Sequence, residues 1–310
     1  MPLDNQFSNP LKTAKGDKRA FVPFQKLKTL WFNTGSLCNL ECNNCYLESS
    51  PKNNRLSFLN REDIIPFLQE IEDGDFPTDL IGLTGGEPFL NPQIFCLLDE
   101  ILNRGFSCLV LTNAYNVISR WKPKLLEYNE KFSRFFSIRV SLDHYSKDEH
   151  EKERGKNTFF PTLDNLKWFV ENQFKISIAG RVLKEETMET ALKGFQQLLN
   201  EHNIPLLLND TNLVLFPEMK KDNRETPEIT TKCWAILNKK PEDLMCASER
   251  MIVKPKGEKK AKVQACTLIP YEEEFQLGYT LKESFKTIHL NHPYCSSFCV
   301  LGGSSCSKTY

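Results

Sequence analysis

Apolar runs alternate with amphipathic stretches from residue 27 to about residue 218. Six runs of strand length predict strands at 27–33, 80–84, 107–113, 135–143, 175–183 and 205–216. Helical spacing of apolar positions predicts helices at about 60–72, 92–104, 117–129, 162–172 and 187–202, with Asn60 as the first N-cap. Alternating strands and helices indicate an α/β domain with a parallel sheet or barrel, whose functional residues lie on loops after the strands.

The pattern changes after Pro217. A charged stretch at 220–227 is typical of a linker, and strands and helices no longer alternate from Cys233 onward. At the other end, the residues before the first strand are mostly polar and predict a frayed tail. We therefore divide the chain into an N-terminal tail at 1–26, a core domain at 27–218 and a small cysteine-rich module at 219–310.

Composition narrows the function classes. The 310 residues are 40% hydrophobic and 26% charged, and 40 Lys and Arg balance 40 Asp and Glu. This balance argues against a nucleic-acid partner or an anionic membrane surface. The sequence has no apolar signal core and no apolar run of membrane-spanning length, so we expect a soluble cytoplasmic protein without a membrane segment.

Eleven cysteines set this composition apart. Most of them are grouped at short spacings, in a large chain with no signal segment, which favours metal ligation over disulfides. Cys96 on a helical pattern and Cys108 in a strand are exceptions. We expect both to be buried core residues, because free cysteine usually packs as a small hydrophobe.

Cys38, Cys42 and Cys45 follow the first strand with the spacing C-x3-C-x2-C. A 4Fe–4S cluster normally takes four thiolates, so three would leave one iron open. A structural zinc site needs four ligands, and no other Cys or His lies nearby in the sequence. The spacing resembles that of the radical S-adenosylmethionine (radical SAM) superfamily, which implies a partial (β/α)6 barrel similar to a TIM barrel. Asn44 stands where that family usually has an aromatic residue, and Tyr46 offers a ring two residues later.

The second motif, Gly85-Gly86-Glu87, ends the second predicted strand. Glycines let a backbone edge approach a ligand closely, and a carboxylate accepts hydrogen bonds from an ammonium group. The motif alone would also suit an ordinary βα turn. The resemblance implies that this edge binds the methionyl amino group of S-adenosylmethionine.

Further ligand-binding candidates follow later strands. By the resemblance, Ser141 contacts the ribose or carboxylate of S-adenosylmethionine and Arg154 contacts its carboxylate, with a solvated surface charge as the alternative for Arg154. Gly180 would allow close approach of the adenine, and Arg181 is a second candidate for the carboxylate. Asn113 matches the family's corner at the end of the third strand, where a turn-capping Asn is the alternative.

The C-terminal cysteines form a third constellation. Cys246 and Cys266 flank two apolar runs joined at Gly257, which predicts a hairpin with a thiolate at each base. The arrangement resembles a SPASM or shortened twitch domain and implies one auxiliary 4Fe–4S cluster. Its candidate ligands are Cys246, Cys266, Cys295 and Cys299, with Cys306 as the substitute for one of them. A zinc site of four thiolates remains the alternative, and Cys233 could be a ligand or a core residue.

The resemblance implies an enzyme that reductively cleaves S-adenosylmethionine to a 5′-deoxyadenosyl radical, which then abstracts hydrogen from a substrate. It implies a low-potential electron donor of the flavodoxin or ferredoxin type and a peptide, protein or small-molecule substrate. The auxiliary cluster could accept an electron or bind the substrate. Two other classes remain. A non-catalytic iron–sulfur or zinc scaffold would have no use for Gly85-Gly86-Glu87, and an RNA-modifying relative would be expected to carry a basic surface.

Overall fold

A nine-stranded sheet organises the protein in the computed structural model, which describes residues 5–218 and 226–307. Its strands, with two short ones that pair separately, are β1 (Phe21–Val22), β2 (Thr29–Asn33), β3 (Leu80–Thr84), β4 (Ser107–Thr112), β5 (Phe136–Ser141), β6 (Lys175–Val182), β7 (Leu213–Pro217), β8 (Glu249–Val253), β9 (Lys262–Gln264), β10 (Gln276–Gly278) and β11 (Ile288–His289). The helices are α1 (Arg61–Asp73), α2 (Ile94–Asn103), α3 (Lys122–Phe132), α4 (Lys147–Arg154), α5 (Phe159–Glu171), α6 (Met188–Glu201) and α7 (Cys233–Ile236), followed by a π-helical segment at Cys295–Leu301.

Strands β2 to β7 lie in chain order and are all parallel. The predicted α/β class and the six alternating units are therefore confirmed. One strand differs from its prediction, because β7 begins at Leu213 rather than near residue 205. Before it, the side chain of Asn209 accepts hydrogen bonds from the backbone N–H groups of Thr211 and Asn212, which holds this part of the apolar run in a turn.

The helices cover the sheet with their apolar faces. Asn60 caps α1 as predicted: its side chain accepts from the backbone N–H of Asp63, whose carboxylate accepts from the backbone N–H of Asn60 in return. The two cysteines that were expected in the core have different solvent exposure. Cys108 is buried in β4, whereas Cys96 lies on the solvent side of α2 and is exposed, so that part of the prediction was wrong.

The C-terminal hairpin joins the same sheet. Strand β8 pairs in parallel with β2, and β9 returns antiparallel to β8, which confirms the predicted hairpin but places it beside the first strand of the core. Trp31 of β2 lies against Gly82 of β3 and donates from Nε1 to a carboxylate oxygen of Glu249 at 2.7 Å. A buried side-chain contact therefore links the hairpin to the barrel interior.

The expectation of a frayed N-terminal tail was wrong for the described residues. Arg19 is buried, and its guanidinium lies 2.5 Å from a carboxylate oxygen of Glu228. Strand β1 pairs antiparallel with β11, so the tail packs on the C-terminal part of the chain. A buried ion pair and buried apolar residues stabilise this arrangement. The mostly polar composition of the tail gave no indication of it.

Two other predictions concern the charged linker and membrane-spanning helices. Most of the charged stretch at 220–227 lies outside the described residues, since the description resumes at residue 226. In the ranges 5–218 and 226–307, no helix has the length and apolar character needed to cross a membrane.

Candidate active site

A cavity of about 180 Å³ lies at the carboxyl ends of the parallel strands. The loop that follows β2 forms one wall and carries the three clustered cysteines. Most of the predicted ligand-binding residues line this cavity, together with residues from the C-terminal part of the chain. The predicted residues that line it are Cys38, Cys42, Cys45, Gly85, Gly86, Ser141, Arg154 and Arg181, and Cys306 joins them.

Two thiols of the cysteine triplet are held by N–H groups, one from the loop after β4 and one from the cysteine loop itself. The thiol of Cys38 lies 3.6 Å from Nδ2 of Asn113, and the thiol of Cys45 accepts from the backbone N–H of Ser49 at 3.4 Å. Burial raises the pKa of Cys38 to about 12 and that of Cys42 to about 11, the latter against the opposing effect of Arg154. Metal ligation must therefore displace protons from buried thiols.

The turn after β3 packs directly on the cysteine loop. Gly85 has a φ of +141°, and a Cβ there would lie 2.6 Å from the carbonyl oxygen of Gly35. A Cβ on Gly86 would overlap the carbonyl oxygen of Leu37. Both positions therefore require glycine, and because both line the cavity, a ligand there can approach their backbone edge closely.

Glu87 differs from its predicted role as the acceptor for an ammonium group. The side chain is buried and does not line the cavity. Its carboxylate accepts hydrogen bonds from the Thr112 hydroxyl at 2.9 Å and the backbone N–H of Asn113 at 2.8 Å, and from Phe89 N–H at 3.1 Å. Burial raises the pKa of Glu87 to about 7, against the lowering effect of these donors. Glu87 thus fixes Asn113, whose side chain contacts Cys38.

Substitution of Glu87 by Gln is expected to lower the stability of the protein. Each carboxylate oxygen accepts from a backbone N–H, so an amide NH2 must face a donor in either orientation. We expect a loss of about 1–3 kcal/mol in the free energy of unfolding. Chemical denaturation checks this. Unchanged unfolding together with weaker binding of S-adenosylmethionine would restore the direct ammonium role.

Two arginines at the cavity wall share the carboxylate of Asp143. Arg154 Nε lies 2.5 Å from a carboxylate oxygen of Asp143, and Arg181 Nε lies 3.3 Å from the other. Arg181 also pairs with Glu153 at 3.1 Å, and Glu153 accepts two hydrogen bonds from Asn44 of the cysteine loop. Burial opposes ionisation of Asp143, yet the two guanidinium groups hold its pKa below its usual value. The network therefore ties the loop to α4, to β6 and to the turn that follows β5.

Strand alternation separates the remaining predicted residues. Ala179 and Arg181 of β6 line the cavity, whereas Gly180 points to the other face. A Cβ on Gly180 would lie 2.6 Å from the ring of Phe195 in α6, so this glycine serves helix packing rather than the cavity. The predicted adenine contact at Gly180 is not supported. Ser141, at the end of β5, lines the cavity as predicted.

Polar groups without partners mark the cavity as a binding site. Within the described ranges, the Tyr46 hydroxyl and the Ser49 hydroxyl are buried and make no hydrogen bond. Both residues line the cavity. Buried polar groups normally have partners, so a polar ligand fits here. The sequence signal for Tyr46 was its place directly after Cys45.

A second cavity lies within the C-terminal part of the chain. Four buried or half-buried thiols line it, and these are the predicted ligands Cys246, Cys266, Cys295 and Cys299. Burial raises the pKa of Cys246 and of Cys266 to about 12. In the described part of the chain, no three Cys, His, Asp or Glu side chains are grouped so as to hold a single ion. Leu268 lines both cavities.

Two further cysteines lie apart from this group. Cys306 lines the first cavity rather than the second. Cys233 packs against an apolar cluster that includes Cys246, Ile269 and Leu290, and its thiol accepts from the backbone N–H of Thr230 at 3.4 Å. The structure thus places four of the C-terminal cysteines around one space and the other two outside it.

Comparison with known proteins decides the family. Residues 32–196 match the sequence model of the Radical SAM superfamily, a range that contains the cysteine triplet and Gly85-Gly86. This chain belongs to the radical SAM superfamily. Membership implies a 4Fe–4S cluster and S-adenosylmethionine, and the three thiols, the glycine edge and the unpartnered hydroxyls of the first cavity fit both.

Two curated relatives of this radical SAM protein are longer than it is. It is 26% identical over 188 residues to the antilisterial bacteriocin subtilosin biosynthesis protein AlbA of Bacillus subtilis, covering 60% of this chain and 39% of AlbA. It is 30% identical over 159 residues to GTP 3′,8-cyclase of Haemophilus influenzae, covering 49% of this chain and 44% of the cyclase. The chain thus spans less than half the length of either relative.

Solved structures support the fold. SuiB of Streptococcus suis, bound to S-adenosylmethionine, superposes with a TM-score of 0.58 at 12% identity, covering 82% of this radical SAM chain and 64% of SuiB. SuiB bound to its precursor peptide SuiA gives 0.57 at 15% identity, with 82% and 63% coverage. At this identity the likeness shows a shared architecture.

Proposed function

We propose that this protein is a radical SAM enzyme that modifies a peptide and carries a second 4Fe–4S cluster in its C-terminal part. The observation that carries the proposal is the pair of adjoining cavities. One is lined by the three thiols of the triplet, the Cys306 thiol and a glycine edge, the other by four thiols, and Leu268 lines both.

The first cavity supplies the binding groups. Cys38, Cys42 and Cys45 would hold the cluster, and the Gly85-Gly86 edge would accept the amino group of S-adenosylmethionine. Arg154 and Arg181 share Asp143, so they would bind a carboxylate only in competition with that partner. When bound, the cluster and S-adenosylmethionine supply a 5′-deoxyadenosyl radical. Part of the cavity wall is apolar and is formed by Trp31, Leu111 and Phe216. This wall keeps water from a radical formed there.

The second cavity would hold the auxiliary cluster through Cys246, Cys266, Cys295 and Cys299. Four thiolates complete the usual ligand set of a 4Fe–4S cluster, which leaves no iron open for substrate. An electron-exchange role is therefore favoured over substrate ligation. A low-potential donor of the flavodoxin or ferredoxin type would supply electrons from outside.

The relatives support a peptide substrate. AlbA takes part in the biosynthesis of a bacteriocin, and SuiB has been solved with a precursor peptide. The chain has 40 Lys and Arg against 40 Asp and Glu, without the net positive charge that is typical of RNA-binding domains. These observations favour a peptide over the small-molecule and RNA alternatives.

Anaerobic reconstitution with iron and sulfide tests the proposal. With S-adenosylmethionine and dithionite, we expect 5′-deoxyadenosine, measured by liquid chromatography and mass spectrometry. Short peptides encoded beside the gene should increase its rate of formation, whereas bulk tRNA should not. No 5′-deoxyadenosine from cluster-loaded protein would refute the enzyme class, and stimulation by tRNA alone would refute the peptide substrate.

A further inference from the structure

The C-terminal segment of the described chain, residues 304–307, reaches into the barrel. The carbonyl oxygen of Cys306 accepts from Nη1 of Arg139 at 2.6 Å. The Ser307 hydroxyl donates to a carboxylate oxygen of Glu249 at 2.6 Å. Arg139 lies in β5 and Glu249 begins β8, so the segment bridges strands that are not neighbours in the sheet. Both partners are buried, which fixes the segment at this place.

This fixed segment directs the Cys306 side chain into the first cavity. The Thr267 hydroxyl donates to the Cys306 thiol at 3.4 Å, and both residues line the cavity. The four thiols around the second cavity already complete a cluster ligand set without Cys306. A thiol that no cluster requires thus faces the space where the radical forms.

A second observation points to a polar ligand in this region of the cavity. The buried Tyr46 hydroxyl lines the same cavity and has no partner among the described residues. Tyr46 and Cys306 also pack against the same small apolar cluster of Met245, Leu268 and Phe298. A polar group of the substrate, placed against the Tyr46 hydroxyl, would lie beside the Cys306 thiol.

We propose that Cys306 is a catalytic hydrogen donor that returns a hydrogen atom to the carbon radical of the substrate. The inference rests on the proposed function. A carbon radical takes the thiol hydrogen, so a C–H bond forms, the S–H bond breaks and a thiyl radical remains. One electron from the low-potential donor and one proton from solvent then restore the thiol.

The stereochemical consequence follows from the position of Cys306. The cysteine triplet and the glycine edge lie on loops at the carboxyl ends of β2 and β3, whereas Cys306 is anchored to Arg139 within β5. If one hydrogen is removed from the loop side and another is delivered from the barrel side, the two transfers take place on opposite faces of the carbon. The peptide product would then carry an inverted centre with unchanged mass in ordinary water.

Cys306→Ser is the test variant, because a serine keeps the hydrogen-bonding group but its O–H bond is too strong to give hydrogen to a carbon radical. Cys96→Ser is the matched control, since Cys96 is exposed on α2 and lines neither cavity. Three readouts are made on reconstituted protein: iron and sulfide content, iodoacetamide labelling of each cysteine with and without S-adenosylmethionine, and deuterium in 5′-deoxyadenosine formed with dithionite in D2O.

We expect Cys306→Ser to keep the iron content of the Cys96→Ser control. In cluster-loaded wild type, Cys306 should be labelled by iodoacetamide, and S-adenosylmethionine should slow this labelling several-fold. In D2O without peptide, the 5′-deoxyadenosyl radical itself takes deuterium from the Cys306 thiol, whose hydrogen has exchanged with solvent. The deuterated fraction of the 5′-deoxyadenosine should therefore fall several-fold in Cys306→Ser relative to the control.

Three results would overturn the assignment. Loss of iron in Cys306→Ser would make Cys306 a cluster ligand. Labelling that S-adenosylmethionine leaves unchanged would place the thiol outside the ligand space. An equal deuterated fraction in the two variants would remove the donor role. Absence of 5′-deoxyadenosine from wild type would refute the proposed function instead. Iron content and labelling would then still test whether Cys306 is a cluster ligand and whether it faces the ligand space.

Discussion

Replacing Cys38, Cys42 and Cys45 together by alanine is expected to abolish formation of 5′-deoxyadenosine while the C-terminal part of the chain keeps its iron. The three thiols line one cavity, and no other cysteine of the described chain except Cys306 lines it. The reconstituted triple variant should lose about four irons per chain, the content of one 4Fe–4S cluster. Iron analysis and product analysis measure the two effects separately.

Cys96→Ala serves as the control for this experiment, because it removes an exposed thiol outside both cavities. It should keep both the iron and the product of the wild type. Continued 5′-deoxyadenosine formation by the triple variant would show that the cluster is held elsewhere. Loss of all iron would show that the two sites do not load independently.

The paired substitution of Cys246 and Cys266 by alanine is expected to have the second largest effect. Both thiols line the second cavity and belong to or pack on the apolar cluster that includes Ile269 and Leu290. Because the binding of thiolates to a metal centre contributes to the folding free energy, loss of this centre should lower the stability of the C-terminal part. We expect about four irons fewer per chain and faster proteolysis after residue 226.

A matched control exists in the same cluster. Cys233 packs against it but does not line the cavity, so Cys233→Ala should retain the full iron content. The wild type should contain about eight irons per chain if both sites hold 4Fe–4S clusters. About four irons with one tightly bound zinc would establish the zinc alternative and remove the electron-exchange role.

Several functional features were accessible from the sequence because they depend on local spacing. The triplet occupies one loop, and Gly85-Gly86 occupies one turn, so neighbouring positions alone bring their groups together. Alternating apolar runs likewise predicted the six parallel strands and their helices, since each element buries one face with its own period. The hairpin from Cys246 to Cys266 is local in the same sense.

The tertiary structure decided which way side chains point and which distant segments meet. The Glu87 carboxylate turns away from the cavity because Thr112 at the end of β4 and Asn113 directly after it donate to it. Gly180 faces a helix because the residues on either side of it face the cavity. No sequence pattern shows these pairings, because each depends on how strands and helices pack.

Cys306 shows the limit most clearly. By sequence it is one more cysteine of the C-terminal group, a substitute for one of the four predicted cluster ligands, and nothing in its spacing places it in the first cavity. Its separation results from contacts with Arg139 and Glu249, which lie 167 residues from Cys306 and 58 residues from Ser307. The sequence by itself therefore determined the family and predicted the six parallel strands of the core and the four thiols that surround the second cavity. Only long-range packing in the folded chain decided that Cys306 faces the first cavity, because its segment is anchored by Arg139 and Glu249 on distant strands.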